Sequence, residues 1–287
     1  MVLRRLVALS SVFAVATSCL LVTHVDDGNF GAGNGVPGDA TVEDTSSSDA
    51  RDVSAADAPD GPDFDAGCPD GRGPAAVRVG SYCVDSTEVT VSQYQEFVSA
   101  NVDPKTQDPE CLFNTDFTPG KQNSPPNNAI TYVSWCDAKA YCRWAGKHLC
   151  GKVGGGSLQL SAATTNQGEW WNACSRGGER IYPYGNTYEP TTCNGKDALV
   201  AGIVGVGTFK ACGGGYSGLF DMSGNAAEWI DACGSISTGD AGRRDACATL
   251  GGSVAMTTDW LKCNNGGTFL APREVKTDSD IGFRCCR

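Results

Sequence analysis

The sequence predicts an α+β domain over residues 68–287 that is rich in disulfide bonds and low in regular secondary structure. Fourteen of the 15 cysteines lie in this range, an even number typical of a disulfide framework in an exported domain. The chain also contains 37 glycines and 13 prolines, which favour turns and loops over long helices and strands.

Three segments have apolar residues at helical spacing. The first covers 91–98 and has Thr90 as its predicted N-cap. The second covers 134–145 and ends before a glycine. The third is predicted to begin at Asn166, because its spacing to Glu169 suits a capping box.

Predicted strands are short and cover 76–82, 202–209 and 282–285. Two glycine runs, at 152–157 and 213–215, lack the spacing of a phosphate-binding loop and are interpreted as turns. The length of 287 residues is enough for one large domain with a sizeable core.

The first 18 residues predict a signal peptide, because Arg4 and Arg5 precede an apolar run at 6–16. Small residues then lead to Cys19, an arrangement typical of a bacterial lipobox in which this cysteine becomes the acylated N-terminus. The alternative is an ordinary cleaved signal followed by a coincidental cysteine. We expect an exported lipoprotein of the bacterial cell envelope, anchored at the outer membrane.

Residues 19–67 predict an acidic, disordered tether between the anchor and the domain. Ten Asp and one Glu face the single Arg51 between residues 26 and 65, a local net charge of −10 out of −11 for the chain. The domain itself is therefore close to neutral, which gives no electrostatic basis for binding nucleic acid.

Zinc binding and hydrolytic catalysis are both disfavoured in the domain. No C-x-x-C pair occurs, and His148 is the only imidazole after residue 67. This histidine is predicted to lie at the surface near a helix end, where the helix dipole stabilises it. The adjacent cysteines Cys285 and Cys286 are expected to bond to two different partners.

The order of the remaining motifs is more specific than any one motif. They are Thr87-Glu88-Val89-Thr90, Gln93-Tyr94, Val133-Ser134-Trp135, Trp144-Ala145-Gly146-Lys147, Glu169-Trp170, Arg176-Gly177-Gly178, Tyr182-Pro183-Tyr184-Gly185-Asn186, Gly218 to Asn225, Glu228-Trp229, Gly251-Gly252-Ser253 and Gly282-Phe283-Arg284-Cys285. This succession resembles the formylglycine-generating enzyme (sulfatase-modifying factor) family and covers nearly all of residues 76–286.

The resemblance implies a C-type-lectin-like fold that often carries calcium. Active members oxidise a sulfatase cysteine to formylglycine, using molecular oxygen and copper held by two cysteines. The places of those cysteines are occupied here by Met256 and Leu261, and a usual tryptophan is Ala227. Soft Cu(I) selects thiolates, so copper is not expected. Cys263 is a weak alternative ligand after a local shift, and otherwise a disulfide cysteine.

The same resemblance implies a calcium site at Asp221, Gly224, Ala226 and Glu228, since hard calcium prefers carboxylate and carbonyl oxygens. The alternative is that Asp221 caps a turn and Glu228 forms an internal salt bridge. A second, weaker calcium site would use Asn194.

By the same analogy, Cys142 is expected to pair with Cys285, and Cys174 to find its partner near Cys263. The expected function is binding of a peptide, protein or other extracytoplasmic ligand, in a groove flanked by Ser253, Arg284 and the Gly-Asn loop. The alternatives are a copper-dependent oxidase, in which Ser253 and Cys263 would lie at the catalytic site, and a structural envelope protein.

Overall fold

The fold is described from a computed structural model, which covers residues 67–121, 124–235, 242–264 and 269–287. These residues belong to the unit Ala58–Arg287. The predicted signal peptide, Cys19 and nearly all of the predicted tether lie outside the described residues.

Three helices and ten strands form the regular structure of the described part. The helices are α1 (Val91–Ser99), α2 (Trp135–Trp144) and α3 (Glu169–Ser175). The strands are β1 (Ala76–Val79), β2 (Tyr82–Asp85), β3 (His148–Leu149), β4 (Gly213–Gly214), β5 (Tyr216–Phe220), β6 (Ala227–Gly234), β7 (Ala246–Leu250), β8 (Phe269–Pro272), β9 (Ile281–Phe283) and β10 (Cys285–Cys286).

The strands form three small sheets. One has the order β1-β2-β10-β3, the second is the hairpin β4-β5, and the third has the order β8-β7-β6-β9. Only β6 and β9 pair in parallel in the third sheet, with Glu228 opposite Gly282. The last ten residues of the chain therefore connect two sheets, because β9 and β10 belong to different ones.

Helices α1 and α2 begin where the sequence predicts, and for the predicted reason. The Thr90 hydroxyl accepts from the Gln93 amide, while the Gln93 side chain accepts from the Thr90 amide. Ser134 and Asp137 form the same reciprocal pair at the start of α2. Each capping box satisfies two backbone donors that the first helical turn leaves without partners.

The predicted start of α3 at Asn166 is wrong, because the N-cap is Gly168, which has no side chain for capping. Tertiary contacts fix this start instead. The Glu169 amide donates to the Gly151 carbonyl, and the Gly151 amide donates back to the Glu169 carboxylate. Asn166 contributes only its backbone carbonyl, which accepts from Asn172.

Two of the three strand predictions need correction. Gly80, at a φ of +57°, splits 76–82 into the hairpin β1-β2. Residues 202–209 form turns, with Gly202 and Gly207 in the left-handed region. The predicted strand at 282–285 is confirmed in part, because it is divided at Arg284 into β9 and β10, which lie in different sheets. The run at 213–215 contributes to β4 rather than to a turn.

The core has two parts. An aromatic cluster joins α1, α2 and β9, with rings about 5–6 Å apart; its members are Tyr94, Phe97, Tyr141, Trp144 and Phe283. The second part surrounds Trp170, Leu219 and Ile230. Contacts of this kind at close packing provide the main favourable free energy of folding.

All fourteen cysteines of the described residues are paired in seven disulfides. The structure joins Cys142 to Cys285 and Cys174 to Cys263, the pairings that the family resemblance implies. Cys286 bonds to Cys150, so the adjacent cysteines do have different partners. This density of disulfides is typical of an exported protein. None of the described helices is long and apolar enough to cross a bilayer.

The α+β, disulfide-rich fold class predicted from the sequence is therefore confirmed, with short strands and three α-helices in the described part of the chain. The long strand β6 was not predicted. It is buried on both faces over most of its length, so it lacks the polar alternation that reveals a half-exposed strand.

Candidate functional site

Met256 and Leu261 lie in the segment that follows β7, where the copper thiolates of active relatives are expected. Met256 is partly buried, and its carbonyl accepts from the Lys196 amide. Leu261 is buried against two glycine backbones; a Cβ atom at Gly195 would lie 2.5 Å from its Cδ1 atom. Leu261 thus takes part in packing, and neither side chain supplies a thiolate.

Cys263 is bonded to Cys174, so the structure contradicts its weak assignment as a copper ligand. A disulfide sulfur carries no negative charge and lacks the donor strength that Cu(I) selects in a thiolate. The site expected from the family is occupied by apolar packing and a disulfide.

The predicted groove flanked by Ser253 and Arg284 is also wrong, because both side chains are fully buried. The Ser253 hydroxyl donates to the Asp280 carboxylate at 2.5 Å and accepts from the Ala255 amide at 3.2 Å. It therefore holds the turn after β7 in place and is not accessible to a ligand. In this structure Ser253 is therefore part of the internal packing of the domain.

The surface beside this segment exposes two large apolar side chains, Trp260 at 42% and Ile181 at 43%. Two hydrogen bonds join the segments that carry them: the Cys263 amide donates to the Ile181 carbonyl, and the Tyr182 hydroxyl donates to the Thr258 carbonyl. Sequence reasoning did not identify these two residues as surface features. The aromatic segment around Tyr182 was the only signal near them.

Glu228 and Arg284 form a completely buried ion pair that joins β6 to the segment between β9 and β10. The guanidinium donates to both carboxylate oxygens, each at 2.7 Å, and the Trp170 indole donates to one of them at 2.7 Å. A bidentate pair with a third donor is the arrangement that offsets the cost of burying both charges. The internal salt bridge, considered as an alternative role for Glu228, is therefore present.

Glu88 and Asp221 add two further buried carboxyl groups to this cluster. One oxygen of Glu88 accepts from the Asn225 side chain at 2.9 Å, but no donor reaches its Oε2 atom. The carboxyl group of Asp221 lies beside that of Glu88 and accepts a hydrogen bond from the Gly207 amide at 2.5 Å. Burial raises the pKa of Glu88, with further increases from Asp221 and Glu228, and burial also raises the pKa of Asp221.

The turn between Asp221 and Asn225 has a strained backbone. Both of these residues have φ near +57°, a region that non-glycine residues rarely adopt. Gly224 packs against the Asn194 carbonyl, and a Cβ atom there would lie only 2.6 Å from that oxygen. Gly224 therefore allows this turn to pack directly against the backbone of the loop that contains Asn194.

The predicted calcium set fits this cluster only in part. Glu228 does not fit as a free ligand, because Arg284 and Trp170 occupy both of its oxygens. The charge nevertheless suits a cation, since three ionised carboxylates would face one guanidinium and Glu88 has an unpartnered oxygen. Asp221 and Glu88, with carbonyls of the turn, would hold calcium there and supply the hard oxygen ligands that it prefers.

Asn194 does not bring a second set of carboxylates together. Its side-chain amide donates to Asn225 at 3.0 Å and to the Gly202 carbonyl at 3.2 Å, which links two loops. Asp197 instead accepts from the Tyr188 hydroxyl at 2.8 Å. Among the described residues, no group of three or more His, Cys, Asp or Glu side chains forms a metal site.

His148 lies on β3 with a partly exposed ring, and its Nε2 atom is 2.9–3.0 Å from both oxygens of Glu169. The hydrogen bond that the buried Glu169 carboxylate accepts from the imidazole raises the pKa of His148 above its ordinary value of 6.5. The predicted surface position is correct, but a carboxylate rather than a helix dipole is its main electrostatic partner.

These features define a disulfide-bonded α+β domain of the formylglycine-generating type, in which the described residues offer no thiolate pair for copper. The chain belongs to the sulfatase-modifying factor family: the family model described as "Sulfatase-modifying factor enzyme 1-like domain" matches residues 39–287.

Curated relatives include both active and inactive types. The chain is 25% identical over 272 residues to a protein from Thermomonospora curvata named formylglycine-generating enzyme, covering 79% of this chain and 84% of that protein. It is 26% identical over 275 residues to inactive C-alpha-formylglycine-generating enzyme 2 of Mus musculus, covering 80% of each. The corresponding Bos taurus protein is 29% identical over 168 residues, covering 54% of this chain and 49% of that protein.

Two solved structures are similar at a lower level. The similarity to CarF covers 72% of this chain and 85% of the CarF chain, at 18% sequence identity and a TM-score of 0.47. The similarity to PvdO from Pseudomonas aeruginosa covers 72% of this chain and 80% of the PvdO chain, at 20% sequence identity and a TM-score of 0.47.

Proposed function

We propose that this protein is an exported, lipid-anchored member of the family whose domain binds a ligand and does not oxidise cysteine. The observation that carries the proposal is the absence of any free thiol among the described residues, where all fourteen cysteines form disulfides. By the family resemblance, Met256 and Leu261 would occupy the two places at which active members hold copper.

The contacts of the buried polar side chains also support the proposal. Arg284 pairs with Glu228 in the core, and Ser253 bonds to Asp280, so these polar groups stabilise the fold and are not available for chemistry. The names of two similar proteins include the word inactive, which agrees with loss of oxidation as an established outcome within the family.

A copper titration tests this proposal. The folded protein should have no alkylatable cysteine in the domain and should bind no stoichiometric Cu(I) under anaerobic conditions without reductant. The double variant Met256→Cys, Leu261→Cys should gain one Cu(I) per chain, because it restores two thiolates at the family positions. Stoichiometric Cu(I) binding by the unsubstituted protein would contradict the proposal.

We also propose that Cys19 carries the lipid anchor and that the acidic tether holds the domain away from the outer membrane. The local net charge of −10 between residues 26 and 65 means that an anionic membrane surface would repel this segment. Replacing Cys19→Ser should move the protein from the membrane fraction to the soluble fraction. Unchanged membrane association of this variant would show that no acyl group at Cys19 anchors the protein.

Calcium is the proposed cofactor, held on the side of the cluster formed by Asp221 and Glu88. Support comes from the unpartnered oxygen of Glu88 and from the excess of carboxylates over guanidinium groups. In this proposal calcium stabilises the turn next to β6 and takes no part in a reaction.

A further inference from the structure

A cavity of about 570 Å³ opens to the surface between the end of α3 and the β4-β5 hairpin. Its volume lies within the range of roughly 300–1,000 Å³ that is usual for pockets that bind small molecules. The pocket differs from the Met256–Leu261 segment, and none of the predicted copper or calcium ligands lines it.

Two arginines, Arg176 and Arg180, line this cavity, and no Asp or Glu is among its described lining residues. Arg180 donates to the Pro183 carbonyl at 2.7 Å, which positions its guanidinium at the wall. Arg176 is about half exposed and pairs at 3.4 Å with Glu179, which is itself 70% exposed. An exposed pair of this kind contributes little, so an anionic ligand can compete with Glu179.

The opposite wall is a glycine-rich hairpin whose position is fixed by close backbone contacts. A Cβ atom at Gly214 would lie 1.8 Å from the Pro183 carbonyl oxygen, and one at Gly215 would lie 1.7 Å from that of Ala173. The glycines are therefore required for packing against α3 and the segment after it. They bring the hairpin next to both arginines but do not form a phosphate-binding loop.

Aromatic residues complete the cavity. Tyr216 and Phe220 line it on β5, and the exposed ammonium group of Lys210 lies 5.4 Å from the centre of the Phe220 ring. The pocket thus places two guanidinium groups, and a third cation near its rim, beside apolar ring surface. Guanidinium groups recognise carboxylate and phosphate through paired hydrogen bonds, and rings favour a flat apolar partner.

We propose that this cavity binds an organic anion, a small molecule that carries a carboxylate or phosphate group next to an aromatic or apolar body. This inference rests on the proposed binding function and names the class of ligand. The anionic group interacts with Arg176 and Arg180, while the apolar body contacts the hairpin side of the pocket.

Simple probes test the two halves of this proposal by calorimetry and by NMR titration of the whole protein. Benzoate and phenyl phosphate should bind measurably, and each should bind more tightly than acetate or inorganic phosphate, which lack a ring. Benzyl alcohol, which has the ring without the charge, should not bind. The relative affinities of benzoate and phenyl phosphate show which anionic group the pocket prefers.

Matched variants locate the binding. Ser217, on the exposed edge of β5, also lines the cavity, so Ser217→Asp should weaken binding of the preferred probe by about tenfold while its neutral isostere Ser217→Asn should not. Arg176→Gln should weaken binding similarly, and Glu179→Gln should strengthen it by removing the competing carboxylate. Arg244→Gln removes an exposed charge outside the pocket and should leave affinity unchanged.

Equal affinities for all these variants, or no binding of any aromatic anion to the folded protein, would overturn the inference. The proposed non-catalytic function would survive that outcome, because it depends on copper and thiols and not on this cavity. Conversely, anion binding by a protein that also binds stoichiometric Cu(I) would support the pocket and refute the non-catalytic function.

Discussion

The carboxylate of Glu228 receives three hydrogen bonds, two from Arg284 and one from Trp170, in a part of the core that excludes water. Glu88, only a short distance away in the same cluster, has an oxygen with no donor. The two residues show that burial alone does not define a site. A carboxylate whose oxygens are all satisfied stabilises the fold, whereas an unsatisfied one indicates where a proton or cation can bind.

The family motif could predict which residues gather at this cluster but not their partners. Asp221, Glu228 and Arg284 are recognisable in the sequence, since each stands in one of the short motifs that carry the family resemblance. The pairing of Glu228 with Arg284 depends on the parallel contact between β6 and β9, which brings together residues 56 positions apart. Local spacing carries no information on such a contact.

The contact between His148 and Glu169 predicts a raised pKa for the imidazole. In a His24→Gln background, where it is the only imidazole, its pKa measured by NMR should lie above 6.5 because Glu169 stabilises the charged ring. Since the folded pKa is raised, the contribution of His148 to stability is present below the unfolded pKa. It is lost as the pH rises through the folded pKa.

Glu169→Gln in the same background should lower the pKa of His148 towards 6.5 and reduce the pH dependence of the unfolding free energy. Arg176→Gln provides a control, because it removes a charge from the end of α3 without touching the imidazole. If the pKa of His148 were the same in the Glu169→Gln variant, the carboxylate would not be its electrostatic partner.

At the scale of elements, sequence reasoning succeeds where local bonds determine structure. The starts of α1 and α2 follow from reciprocal capping by residues three positions apart. It fails for α3, whose start depends on contacts between Glu169 and Gly151, 18 positions apart. It also fails for β6, which is buried on both faces and shows no alternation.

Capping gives a matched pair of substitutions. Ser134→Ala should lower the free energy of unfolding by about 1 kcal/mol, because the α2 N-cap hydroxyl accepts from the Asp137 amide. Asn166→Ala should have almost no effect, since its side chain is exposed and does not cap α3. Chemical denaturation measures both. If Asn166→Ala lowered the free energy of unfolding as much as Ser134→Ala does, the assigned N-cap of α3 would be contradicted.

At the scale of the whole molecule, disulfides determine both architecture and chemistry. The Cys142–Cys285 and Cys150–Cys286 bonds tie the end of the chain to residues 143 and 136 positions earlier. The even count of cysteines predicts such a framework, and the family resemblance implies one of these two pairings. The three-dimensional fold determines which cysteines form the remaining disulfides. The spacing of cysteines along one sequence does not reveal these pairings.

Calcium should stabilise the whole domain if the cluster binds it. At a calcium concentration about one hundred times Kd, the gain in unfolding free energy would be about 2.7 kcal/mol, and EDTA should lower Tm by several degrees. Asp221→Asn should lose most of this response, whereas Asp259→Asn, which changes an exposed carboxylate, should retain it. A Tm independent of calcium in the unsubstituted protein would mean that protons balance the charge of this cluster.

A family member whose described cysteines all form disulfides is expected to bind a ligand and not to oxidise cysteine. The most direct test is oxygen consumption with a cysteine-containing sulfatase peptide in the presence of Cu(I), with an active formylglycine-generating enzyme as the positive control. We expect no oxygen consumption above the peptide and copper blank and no formylglycine by mass spectrometry. Stoichiometric conversion of the peptide cysteine to formylglycine would contradict this expectation.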